Sequence, residues 1–85
     1  MHDFKGAQIY VGARVKVLSI DQSIMSELTE SEVRDINSML GEIFEVYEID
    51  KYRQAWVEKW WHLGEGKSYS HSLGLSSNEL EFIEA

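Results

Sequence analysis

Leu73-Gly74-Leu75-Ser76-Ser77-Asn78-Glu79-Leu80-Glu81-Phe82-Ile83 is the stretch that decides the fold. It reads as the end of one strand, a tight polar turn and a closing strand. Ser76 to Asn78 are the turn formers, and one 3₁₀ turn would fit them. Upstream, the apolar runs 14–20, 42–50 and 55–61 are each bounded by turn residues. Short runs at this spacing predict a small closed β-structure, a scaffold whose function lies in its loops and surface grooves.

The run Arg14-Val15-Lys16-Val17-Leu18-Ser19-Ile20 alternates, with Val15 and Val17 on one face and Arg14 and Lys16 on the other. Gln8 to Val11 reads as a short edge strand before it. After the break at 21–26, Thr29 and Glu32 have capping-box spacing, and Glu30 and Glu32 fall in a first helical turn. Val33, Ile36 and Leu40 then give an apolar stripe flanked by Met39, and Gly41 ends the helix. A helix this short must be held by packing, and it is expected to plug an open end of the barrel. Residues 42–50 alternate imperfectly, as expected of a strand that bends, bulges or is covered on both faces. Residues 50–54 form the hairpin connection. In 55–61, Trp56, Glu58 and Trp60 share one face, and Ala55, Val57, Lys59 and Trp61 share the other. Residues 62–68 read as a flexible loop from their glycines. Beyond it Tyr69, His71, Leu73 and Leu75 lie opposite Ser70, Ser72 and Gly74.

Gly12-Ala13-Arg14-Val15-Lys16-Val17, Leu40-Gly41-Glu42-Ile43-Phe44-Glu45-Val46 and Ser77-Asn78-Glu79-Leu80-Glu81-Phe82-Ile83 carry a resemblance to the SH3-like superfold. They look like the first, second and last strands of bacterial and plastid small-barrel accessory proteins, such as the barrel chain of ferredoxin–thioredoxin reductase. In that family the barrel supports a partner chain and does no chemistry. The implied fold is mostly β: an SH3-like five-stranded antiparallel barrel with one short helix between the first two core strands. The barrel would span 8–85, behind a flexible N-terminal segment 1–7. Trp60-Trp61 and Ser77-Asn78 also resemble the paired tryptophans and Ser-Asn of peptide-binding SH3 domains. Ser76 and Glu79 depart from that pattern, which places a proline before the serine and a tyrosine after the asparagine.

The 85-residue chain has no Cys, which removes disulfides, thiolate metal sites and thiol catalysis. It has no Pro and no apolar run near the length of a membrane span. No export signal is visible in 1–5, so a cytoplasmic location is the expectation. The net charge is −7, and Glu27 to Asp50 hold eight acidic residues against one basic residue, Arg34. Such a field repels nucleic acid and suits a cationic partner.

The aromatic hairpin is the strongest functional candidate. Tyr47, Tyr52, Trp60 and Trp61, with Glu58, form the proposed partner-binding set, and Trp56 is expected to point inward. Aromatic and acidic groups together receive an extended peptide, a Lys or an Arg. His62 and His71, even with Glu58 or Glu65, match no strong metal-ligand spacing. Alternation separates His71 from Ser70 and Ser72, so no nucleophile–base pair forms along that strand. No catalytic group, cofactor, metal or small-molecule ligand is therefore assigned, and no enzymatic role. The expected function is a noncatalytic protein-interaction or scaffold module. One alternative is a nucleic-acid-associated barrel using Arg14, Lys16, Lys51, Arg53, Lys59 and Lys67, and another is a structural, self-associating subunit.

Overall fold

The computed structural model describes residues 1–84. Its elements are β1 (Arg14–Val17), a 3₁₀ helix (Gln22–Glu27), α1 (Glu30–Asn37), β2 (Ile43–Glu45), β3 (Glu48–Ile49), β4 (Ala55–Gly64), β5 (Lys67–Leu75), a second 3₁₀ turn (Ser77–Glu79) and β6 (Leu80–Glu84). The fold is mostly β, with the helix between β1 and β2. Among the described residues no helix is long and apolar enough to cross a membrane.

The strands pair as two antiparallel three-stranded sheets, β2–β1–β6 and β3–β4–β5, with no ladder closed into a single barrel. Six strands replace the expected five because the run 42–50 changes partners at its middle. The Val46 amide donates to the Ala13 carbonyl beside β1, and the next amide, Tyr47, donates to the Trp56 carbonyl on β4. One bent run thus serves both sheets, which explains its mixed alternation. The core between the sheets contains Val15, Val17, Val46, Val57, Leu73, Leu75 and Leu80.

Thr29 and Glu32 form the expected capping box of α1. The apolar stripe is corrected in one place. The helix ends at Asn37, and the chain then turns through Ser38 to Gly41. That change of direction buries Met39 completely and leaves Leu40 exposed. Ile36 and Met39, not Leu40, join the core.

Three further expectations also change. Residues 62–68 are no open loop: β4 and β5 continue to a tight turn at Gly64-Glu65-Gly66, where all three residues have positive φ. Glycine adopts that conformation without the Cβ clash that penalises other residues. Gln8 to Val11 forms no strand beyond an isolated bridge from Gln8 to His2. Residues 1–7, expected as a flexible segment, are tied to β6. The Asp3 carboxylate accepts from the amides of Lys5 (2.9 Å), Ala7 (2.8 Å) and Phe82 (2.8 Å), and the Phe4 amide donates to the Leu80 carbonyl. Asp3 is only 5% exposed. Burial alone would raise its pKa. Hydrogen bonds from the Phe82, Ala7, Lys5 and Gly6 amides outweigh that effect and hold the carboxyl below its usual value.

Candidate functional site

The β4–β5 hairpin pairs Trp56 with Gly74, Glu58 with Ser72 and Trp60 with Ser70 on one face. Val57–Leu73, Lys59–His71 and Trp61–Tyr69 occupy the other. The base of the second face, Val57 and Leu73, is buried in the core. Farther along, the same face leaves the core and meets α1. The first face looks outward throughout.

On the outer face, bulky residues stand on β4 and small ones on β5. Trp60 is 53% exposed. Its indole nitrogen donates to Glu58 Oε1 at 2.6 Å, and the other carboxylate oxygen of Glu58 accepts from the Ser72 hydroxyl at 3.1 Å. The exposed ring is therefore held in place at its N–H edge. Trp56, expected inward, lies half-buried on this outer face as well. It covers Gly74: a Cβ built there would meet the indole Cε2 and Cζ2 at 3.0 Å. Its indole nitrogen donates to Asp50 Oδ2 at 2.9 Å. The other Asp50 oxygen takes the amides of Tyr52 and Gln54, which shapes the hairpin turn. The hydrogen bonds from Trp56, Gln54 and Tyr52 keep the Asp50 carboxyl below its usual pKa despite some desolvation.

On the opposite face Trp61 and Tyr69 stack at 5.1 Å between ring centroids, and His71 meets both edge-on. Lys59 lies over the Trp61 ring, pairs with Glu42 and reaches the Ser38 hydroxyl. His71 Nε2 lies 3.3 Å from Asp35 Oδ2 on α1. Burial, then the charge and hydrogen bond of Asp35, push the Tyr69 hydroxyl above its usual pKa. Capping by Thr29 lowers the Glu32 carboxyl, with a smaller contribution from His71.

The five residues proposed from sequence are thus not one patch. Trp60 and Glu58 touch on the outer face. Trp61 is on the other face, in an aromatic group already engaged with α1. Tyr52 is 73% exposed on the loop between β3 and β4, beside the Lys51 ammonium, and Tyr47 is exposed where the bent run changes sheets. The sequence reading missed Asp50 as the clasp of Trp56 and Asp35 as the helix partner of His71. Asp50 begins the polar turn 50–54, so its Asx-turn chemistry was the available signal. The contact with Asp35 joins distant elements and had no local signal.

The residues gathered for nucleic-acid binding are dispersed and partly engaged: Arg14 pairs with Glu84, and Lys59 pairs with Glu42. A hollow of about 360 Å³ beside α1 is lined by Leu28, Glu30, Val33 and Arg34, and no aromatic hairpin residue borders it. Among the described residues no group of His, Asp and Glu is arranged to hold a metal ion. No protein-family model matches the chain, and neither a curated protein nor a solved structure matches it.

Proposed function

We propose that this protein is a noncatalytic interaction module on an SH3-like, partly open barrel, and that it binds a cationic extended segment of a protein partner across the outer face of β4 and β5. Support for the barrel reading comes from the bent run shared by two sheets and from the 3₁₀ turn that leads into the last strand. Support for the binding reading comes chiefly from one observation: Trp60 is more than half exposed, yet fixed by Glu58. A large aromatic surface that needs little ordering is what a binding anchor requires. The carboxylate at the ring's edge favours a Lys or Arg placed over the ring, through cation–π attraction and charge. The small residues Ser70 and Ser72 leave room beside the ring for a peptide backbone. The acidic stretch 27–50 would speed encounter with a basic partner.

The test is a fluorescence titration with extended peptides rich in Lys or Arg, and with neutral versions of the same peptides. Trp60→Ala and Glu58→Gln are expected to weaken binding about tenfold or more with little change in melting temperature. Equal affinity of wild type and both variants would overturn the proposal. So would equal binding of the neutral peptides.

A further inference from the structure

An exposed sheet edge offers backbone donors and acceptors to any other strand, so proteins cover, shorten or charge their edges. Most edges here are treated in this way. The N-terminal segment covers β6 through Asp3 and Phe4. β2 and β3 are three and two residues long. The part of β4 beyond its pairing with β3 carries Glu58, Lys59 and His62. β5 is long, is covered by no hydrogen-bonded segment among the described residues, and has a fixed charge only at its first residue, Lys67. It runs nine residues, holds no Asp or Glu, and has Tyr69 and His71 as its titratable groups between Ser68 and Leu75.

The direction of its free groups derives from the pairing. The Trp56 carbonyl points toward β3, because it accepts from Tyr47. Backbone groups alternate sides along a strand, so Trp56 and Gly74 form a non-hydrogen-bonded pair, as do Glu58–Ser72, Trp60–Ser70 and His62–Ser68. The N–H and C=O groups of Ser68, Ser70 and Ser72 therefore point away from β4. Among the described residues they have no hydrogen-bond partner within the chain.

We infer that this edge of β5 pairs antiparallel with β5 of a second copy of the chain, about a two-fold axis at Ser70. The strand is complementary to itself in that register. Ser70 faces its own copy and Ser68 faces Ser72 of the other, so small hydroxyl side chains meet on the outer face. On the opposite face each Tyr69 faces His71 of the other copy and extends the Trp61–Tyr69 stack across the junction. No like charges meet, because Lys67 faces Leu73. Lys67 instead comes beside His71 of the other copy, where Asp35 and Glu32 of the helix supply negative charge. That charge complementarity favours a second copy as the occupant. The inference concerns the edge of β5, whereas the proposed peptide site lies on the outer face, and either can fail alone.

Sedimentation of the full chain over a wide concentration range tests it, with amide exchange as the second measurement. A monomer–dimer equilibrium is expected, with exchange at Ser68, Ser70 and Ser72 slowing as the dimer forms. Ser70→Pro removes the central free donor without breaking a β4 bond, and proline is tolerated on a solvent-facing edge. It is expected to abolish the dimer. Should that variant fold poorly, Ser70→Lys decides, because it sets two ammonium groups opposite each other at the axis. Lys67→Glu is expected to weaken the dimer about threefold or more. A wild-type chain that stays monomeric throughout would overturn the inference. So would a dimer that leaves those amides unprotected, Ser70 variants that dimerise normally, or protection that appears only when an unrelated peptide is added.

Discussion

At β6 the border of the first sheet ends in Asp3, which takes the Phe82 amide into a buried carboxylate. At β5 the border of the second sheet ends in Ser68, Ser70 and Ser72, with no hydrogen-bonded segment across it among the described residues. Both strands reach the same core, where Leu80 and Leu75 are fully buried. Outside the core they differ. β6 stays against the body along its length, whereas the β4–β5 hairpin runs past the core and carries its aromatic side chains onto the surface. The first sheet is finished as structure, and the second leaves both a face and an edge available. The difference explains why the exposed aromatic residue most firmly held in place, Trp60, lies on the second sheet.

Substitutions along the two strands can break or sharpen this comparison. The largest effect is expected at the shared core. Leu80→Ala and Leu75→Ala should each cost about 2–5 kcal/mol in chemical denaturation, and a much smaller loss at either would unseat that strand from the core. Next comes the border clasp. Asp3→Ala should cost about 1–3 kcal/mol by leaving buried amides without an acceptor, while Ser70→Ala on the open border should cost almost nothing. The Asp3 clasp also has a pH signature. Its folded pKa is depressed, so its contribution is fully present above the unfolded carboxyl value of about 3.9 and is lost as pH falls through the lower folded value. Asp50 acts in the same direction. Denaturation profiles should show Asp3→Asn flattening the acid limb, and an unchanged limb would remove Asp3 as its source.

A smaller effect is expected at Gly74. An added methyl group there crowds the Trp56 ring at 3.0 Å and Gln54 Oε1 at 3.1 Å. Gly74→Ala should cost about 1 kcal/mol and shift the Trp56 indole N–H resonance as its bond to Asp50 is disturbed. An unmoved resonance would mean that the ring does not rest on Gly74. The smallest effect belongs to Trp60. Trp60→Ala should change stability by no more than about 0.5 kcal/mol, and a larger loss would make it part of the core.

Much of this contrast was legible in the alternation of residues 55–75. The two faces of the hairpin derive from period two alone, and the helix cap derives from Thr29 and Glu32. Alternation put Trp60 and Trp61 on opposite faces, but it could not say where a face leaves the core, so it did not show that Trp61 would be engaged with α1 while Trp60 stayed open. It also gave no sign that residues 42–50 would split, because a change of pairing partner is decided by tertiary geometry. Asp3 was overlooked for a related reason. An acidic residue near a chain end reads as solvated until the amides of Ala7 and Phe82 are seen to converge on it.

The turn at Gly64-Glu65-Gly66 bears on the order in which the protein assembles. Across the hairpin, Glu58 meets Ser72 only 14 positions away, whereas Asp3 reaches Phe82 across 79. Closing a long loop costs more chain entropy than closing a short one, so the hairpin is expected to form early and the chain ends to lock last. In stopped-flow measurements, replacing Gly66 by a β-branched residue should then slow folding. Asp3→Asn should chiefly speed unfolding, which makes the first few residues a late clasp on a framework the hairpin has already begun.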